Sequence, residues 1–363
     1  MKKSLLSIAA AAALLVALAG CGTPGLTSST AKTDAPVVEP PTTSAGAGTT
    51  AGTTAPAGQL NMFTGNYDLK PGESNRPLAI MVANDSRARP QYGLDQADML
   101  VEAETEGGIT RIMAVFANAS RVPAQIAPVR SARTPFVLLA QSLDVVYAHF
   151  GGSPRGLENI KTLKLDAING ITDAKTFWRD PTLRKTKGLD HSAMTSGEKL
   201  TARIARSKYR TTTDRTSPYA FGSWAGTGAG KKIQVSFSGA QTVNFQYDAA
   251  KGVYNKFNGK LSSATAHKAA NGAQLSAANV IVMYDEKYTE EKVRPSDKNT
   301  YSFRLNSGAG VALSGGTSQQ IKWTRTATRL SFTDASGNPL SLNKGKTYIC
   351  LVTKANQSST VLQ

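Results

Sequence analysis

Residues 97–118 read ADMLVEAETEGGITRIMAVFAN. Two apolar runs of strand length flank Gly107-Gly108, and such a glycine pair predicts a hairpin or tight reversal. The reading spreads outward from there. Upstream, RPLAIMVAN (76–84) predicts a strand with Pro77 at its start, where a missing N–H is tolerated. Downstream, Pro135 to Leu143 predicts a short apolar helix and DVVYAHF (144–150) a buried strand. A helix through about Leu163 follows Gly151-Gly152-Ser153-Pro154. Another runs to about Tyr209 behind Thr195-Ser196-Gly197-Glu198, which has capping-box spacing with Thr195 at the cap. Strands interleaved with helices make residues 61–221 an α/β (or α+β) N-terminal domain with a mixed sheet.

The chain then changes character. GSWAGTGAGKK (222–232) reads as a glycine-rich connection. Beyond it come short alternating runs: IQVSFS, TVNFQYD, GVYNKFN, NVIVMYD, YSFRLN, QIKWTR, LSFTD and TYICLVT. Residues 222–363 are therefore expected to be a β-rich C-terminal domain, either an antiparallel unit or a β extension of the first.

The N-terminus places the protein. Lys2 and Lys3 precede an apolar run from Leu5 to Leu18, and Leu18-Ala19-Gly20-Cys21 resembles a bacterial lipobox. Residues 1–20 are expected to be a lipoprotein signal peptide and Cys21 the lipidated mature N-terminus. Residues 21–60 are expected to be a lipidated, disordered linker. From residue 22 onward, 31 of its 39 residues are Gly, Ala, Pro, Ser or Thr, too little apolar surface to offset ordering. As a flexible coil it reaches about 35 Å. The expected location is the extracytoplasmic face of the cell membrane, attached by lipid alone. Cys350 is then the one remaining thiol, which excludes an intramolecular disulfide.

The chain carries 42 basic and 25 acidic residues, a net charge of +17. Lys2, Lys3, Lys32, Asp34 and Glu39 precede residue 61, so the folded part keeps 39 basic and 23 acidic residues. Such a balance favours anionic partners. Export excludes nucleic acid and points to an anionic wall polymer or an envelope protein.

The run Asn84, Ala88-Arg89-Pro90-Gln91, Gly93-Leu94, Ala97-Asp98, Glu102 and Glu106-Gly107-Gly108-Ile109-Thr110-Arg111 resembles the signature of the YerB-like bacterial lipoproteins. Pro128-Val129-Arg130-Ser131-Ala132-Arg133, His149, Gly152-Ser153 and Phe177-Trp178-Arg179-Asp180 extend the resemblance, and residues 274–354 are similar to that family's C-terminal domain. The resemblance implies a lipid-anchored envelope protein with an α/β N-terminal and a β-rich C-terminal domain. It implies no reaction.

Chemistry is expected where strands break into helices. Thr134 before Pro135 suits an N-cap, with Arg130, Ser131 and Arg133 just ahead of it. Ser153 before Pro154 suits another, with Arg155 next. Helix starts offer free N–H groups to an anion, and arginine adds a planar fork for carboxylate or phosphate. If the helices follow adjacent strands, Arg111, Arg130, Ser131, Arg133, His149, Ser153 and Arg155 line one binding cleft at the sheet edge, where open α/β sheets hold ligands. Arg179, Arg184 and His191 are weaker additions. The competing reading is internal ion pairing with Glu102, Glu104, Glu106, Asp98 and Asp144, and cross-strand alternation is expected to set Arg111 opposite a glutamate.

Catalytic motifs fail. Ser196-Gly197-Glu198-Lys199 matches S-x-x-K, but no Ser-Asp-Asn follows. Ala225 and Lys232 break the phosphate-loop pattern around Gly226–Lys231. His149, His191 and His267 have no metal-ligand spacing, so neither metal nor cofactor is expected. A triad drawn from Ser131 or Ser153, His149 or His191 and Asp190 lacks a nucleophile elbow. The expected function is a binding or regulatory module. The alternative is a hydrolase or transferase acting on a phosphate- or pyrophosphate-linked envelope glycan, with His149 moving protons.

Overall fold

The hairpin forms at Gly107-Gly108 because both residues sit at positive φ (74° and 71°), a conformation that is cheap only without a Cβ. This is a computed structural model that describes residues 57–363. The signal peptide, Cys21 and nearly all of the 21–60 linker lie outside the described residues. Within 57–60, Gln59 exchanges backbone hydrogen bonds with Leu69 at 2.8 and 3.2 Å.

Strand β1 (Leu78–Ala83) lies beside β3 (Thr110–Phe116), which pairs antiparallel with β2 (Met99–Glu104). Helix α1 (Thr134–Ser142) leads to β4 (Val146–His149), and α2 (Pro154–Thr162) leads to β5 (Ala167–Asn169). Strands β1, β4 and β5 run parallel, and β1 and β4 are buried along their whole length, as strands covered on both faces are. Beyond them lie β6 (Trp178–Arg179), α3 (Pro181–Lys187), β7 (Ala193–Met194) and α4 (Gly197–Ser207).

The C-terminal region does both things the sequence allows. Residues 347–353 run parallel to β2 and to residues 279–285, and strands 307–314, 317–325 and 330–334 continue the large sheet. The remaining runs form a separate small antiparallel sheet around 232–236, 242–248 and 253–258. Ile233, Val235, Val243 and Phe245 of this small sheet, with Leu200 and Ile204 of α4, cover one face of the large sheet. Phe136, Val137, Leu139 and Ala140 of α1 cover the other, in one cluster with Tyr147 of β4. Full burial of each large apolar side chain contributes about 1.5–3 kcal/mol. The fold class is the expected one: a mixed α/β N-terminal region and a strand-rich C-terminal region.

Two caps differ from expectation. Arg133, not Thr134, is the N-cap of α1, and no side chain caps that helix. Ser196, not Thr195, caps α4, accepting from Lys199 N at 3.2 Å. Thr195 is held extended by its bridge to Ile126, which shifts the helix start by one residue.

A closed polar ring ties the two regions together. Glu102 is fully buried and accepts from Asn84 (2.8 Å), Thr110 (2.6 Å) and Tyr348 (2.5 Å). Lys256, also fully buried, lies 3.5 Å from Glu102 and donates to His267 Nδ1 at 2.9 Å. His267 Nε2 meets Gln91 Oε1 at 2.9 Å, and Gln91 donates back to Asn84 at 2.9 Å.

Candidate functional site

The backbone brings the two helix starts together. Ala132 bridges Gly152 in parallel: Ala132 N donates to Gly151 O at 2.9 Å and Ser153 N to Ala132 O at 3.1 Å. Arg130 N donates to Met81 O at 2.8 Å, and Phe150 N donates to Arg130 O at 3.0 Å. The segment before α1 is thereby laced between β1 and the end of β4. Arg111, the second residue of β3, lies in register with Ala83 of β1 at this same edge.

Register decides which acid meets Arg111. On β2 it faces Ala103, while Glu102 faces Ile112 and Glu104 faces Thr110. Those glutamates are on the opposite face from Arg111, which overturns the expected cross-strand pair. Glu102 belongs to the buried ring, and Glu104 pairs with Lys287 at 2.8 Å. Glu106, in the turn, is the acid that reaches the edge. Arg133 Nε holds both its oxygens, at 2.6 and 2.8 Å, and Arg133 Nη1 donates to Ala132 O at 2.8 Å. Burial pushes the Glu106 carboxyl up, but the hydrogen bond and charge of Arg133, with Arg111 behind, hold it below the ordinary range.

Arg111 is left short. Only 5 % exposed, it approaches Glu106 no closer than 3.5 Å, and its Nε and Nη1 have no hydrogen-bond partner among the described residues. Burial, then the charges of Arg133 and Arg130 against that of Glu106, push its pKa down to about 9, so it stays a cation at neutral pH. The Tyr147 hydroxyl is likewise buried and unpartnered. Burial raises its pKa while Arg111 and Arg133 pull the other way. Arg130 reaches Asp190 at 3.5 Å, but that acid is 72 % exposed. Two guanidiniums, Arg111 and Arg133, thus share one sheltered carboxylate, and the third, Arg130, has only the exposed Asp190 among the described residues.

His149 stacks on Tyr147 (5.5 Å between ring centroids), and its Nδ1 lies 2.8 Å from Gly151 O. A carbonyl only accepts, so Nδ1 carries the proton and Nε2 is left as an acceptor. Burial, partly offset by that hydrogen bond, lowers the His149 pKa, so the ring is neutral. Ser131 Oγ donates to Phe150 O at 3.1 Å. Ser153 Oγ caps α2 by accepting from Gly156 N at 3.1 Å. Neither serine is hydrogen-bonded to a histidine among the described residues.

Arg155 departs from the group. It pairs with Glu158 and donates to Glu291 O at 3.0 and 3.2 Å. Arg179 stacks over Phe150 at 4.3 Å and donates to Leu189 O. Its pKa is lowered by burial and by the nearby charges of Arg130 and Arg184, against Asp190. His191 pairs with Asp85 at 2.9 Å. The edge therefore gathers Arg111, Arg130, Arg133, Glu106, Tyr147 and His149. Tyr147 is the member that residue chemistry does not flag, although strand alternation puts it on the face of His149.

The result is a mixed-sheet protein in two regions, with an undercompensated cationic edge beyond its parallel strands. A model of the "Protein of unknown function (DUF3048) N-terminal domain" matches residues 63–210, and its C-terminal counterpart matches 233–349. The chain belongs to this family. It is 43% identical over 105 residues to "Putative lipoprotein YerB" of Bacillus subtilis (strain 168), a stretch of 29% of this chain and 31% of that protein. The match thus spans about a third of that curated relative's length. The crystal structure of the YerB protein from Bacillus subtilis superposes with a TM-score of 0.69 at 25% identity, covering 84% of this chain and 99% of that one.

Proposed function

We propose that this is an extracytoplasmic lipoprotein, anchored through Cys21, that captures an anionic group at the Arg111–Arg130–Arg133 edge. The group is a phosphate or carboxylate of a wall polymer or of an envelope protein. The observation that carries the reading is the unpartnered pair of Arg111 donors, buried with the Tyr147 hydroxyl. A buried donor without an acceptor costs about 1–3 kcal/mol, more when charged, and an anion removes that cost. Because the nearest carboxylate is already taken by Arg133, the edge has room for one more negative charge. The name of the Bacillus subtilis relative, a lipoprotein, supports the anchor, and the Leu18-Ala19-Gly20-Cys21 sequence supports its position.

The test is titration of the full chain with inorganic phosphate and with isolated wall polymer, against Arg111→Gln and the double variant Arg130→Gln/Arg133→Gln. Binding weakened at least tenfold in both variants, and weakened by salt in the wild type, is the expected result. Salt-independent binding, or variants that bind as the wild type does, would overturn it. For the anchor, Cys21→Ser is expected to move the protein from the membrane fraction to the soluble one.

A further inference from the structure

A second polar cleft lies in the seam between the two family regions. Two adjoining cavities of about 590 and 600 Å³ share Ser86, Arg89, Asn258, Gly259 and Ser263. Loop 85–90 forms one wall and the small sheet's 239–268 segment the other. Seams between domains are favoured ligand sites, and each cavity is of small-molecule size. No Phe, Tyr or Trp lines either cavity, so stacking is not what this cleft offers a ligand.

What it offers is charge and hydrogen bonding. Arg89 is locked by Nε and Nη2, which donate to Asn84 O at 3.3 and 2.8 Å. Lys187 fixes the same loop from outside, donating to Ala88 O (3.0 Å) and Pro90 O (2.7 Å). Lys260 and Lys268 add two exposed cations. Asp85 is the one acid among the lining residues, and both its oxygens are engaged, by Arg87 N and Ala88 N and by His191. Glu102 influences Arg89 from behind but is spent within the buried ring. Asn258 lines both cavities, and its Oδ1 is buried without a partner.

We propose that this cleft binds a phosphate-bearing polyol or sugar chain. Arg89, Lys260 and Lys268 meet its phosphates, and Asn258 Oδ1 accepts from its hydroxyls. Two linked cavities suit successive units of a chain better than one free phosphate. The inference names a polymer class for the anionic-component reading but uses none of the arginine-edge residues, so either can fail alone.

The test is calorimetric titration of the full chain with a glycerol-phosphate oligomer. Inorganic phosphate, a neutral polyol and phosphatidylglycerol vesicles serve as comparators. The oligomer is expected to bind, at least tenfold more weakly to Lys260→Gln/Lys268→Gln and to Asn258→Asp, with melting temperatures unchanged. Neutral polyol is expected not to bind, and inorganic phosphate at equal phosphate concentration not to displace the oligomer. The proposal is overturned if the oligomer does not bind, if the lysine variant binds it normally, or if neutral polyol binds equally. Vesicle binding without oligomer binding assigns the cations to a lipid surface and overturns it too. Loss with Arg111→Gln alone places the polymer at the arginine edge instead.

Discussion

Arg133 grips Glu106 at 2.6 and 2.8 Å, while Arg111, 3.5 Å from the same carboxylate, keeps Nε and Nη1 unbonded. Glu106 therefore holds down more positive charge than it can hydrogen-bond. Glu106→Gln is expected to destabilise the fold by about 1.5–3 kcal/mol, as lost charge-assisted bonds do. Urea unfolding in phosphate-free buffer measures it. Added phosphate is expected to recover part of the loss, because an anion bound only to the folded state stabilises it by mass action. The carboxyl's folded pKa lies below its unfolded value near 4.5, so its contribution is present above that pH and lost as pH falls through the folded pKa. Glu106→Gln should flatten this acid limb. A variant as stable as wild type without phosphate would end the counter-ion account.

Arg111→Met separates function from stability. Arg111 is a buried charge with unmade hydrogen bonds, and Glu106 keeps Arg133 when Arg111 is removed, so an apolar side chain of similar volume lifts a desolvation cost without stranding an acid. The variant is expected to melt at or above the wild-type temperature and to lose phosphate binding. A large drop in melting temperature would make Arg111 a structural ion-pair partner.

The strands were legible because β1, β2 and β3 are apolar enough to be buried on both faces. Helix α3 was not: Leu183 is the one buried residue in PTLRKTK, so no apolar stripe exists to find. Strand 307–314 hides in SGAGVALS, whose small residues read as a turn. The edge residues were legible as a set, since helix starts and glycines locate them, but side-chain direction was not. Arg155 turned to Glu158 and Glu291, and register turned Glu102 and Glu104 to the face opposite Arg111, leaving Glu106 in the turn as its acid. Lys256 sits in GVYNKFN, where alternation alone would give it to solvent. It is buried because the small sheet's inner face meets Glu102.

Ser153→Ala tests which residues of the edge are scaffold. Its hydroxyl oxygen accepts from Gly156 N at 3.1 Å, which makes it the cap of α2. Loss of an N-cap costs about 0.5–2 kcal/mol. The expected result is that loss in thermal unfolding, with phosphate affinity unchanged. A tenfold weaker affinity at wild-type stability would put Ser153 in the binding site.

The buried ring predicts a pH dependence of its own. Lys256 Nζ stands 2.9 Å from His267 Nδ1, so protonating His267 would set two cations in contact in a dry interior. Burial, then Lys256 and Arg89, hold the His267 pKa well below its ordinary 6.5. In the unfolded chain it titrates near 6.5, so below that pH the unfolded state binds a proton that the folded state refuses, and stability falls with pH. His149, also lowered, adds to the same limb. His267→Gln, which keeps an amide between Lys256 and Gln91, is expected to flatten the decline between pH 6.5 and 5. Lys256→Met strands Glu102 and should cost about 3–5 kcal/mol, whereas Glu102→Gln/Lys256→Met should recover much of it. Urea unfolding across this pH range checks all three. A wild-type curve flat from pH 7 to 5 would mean that the ring admits the proton, and with it a water or counter-charge.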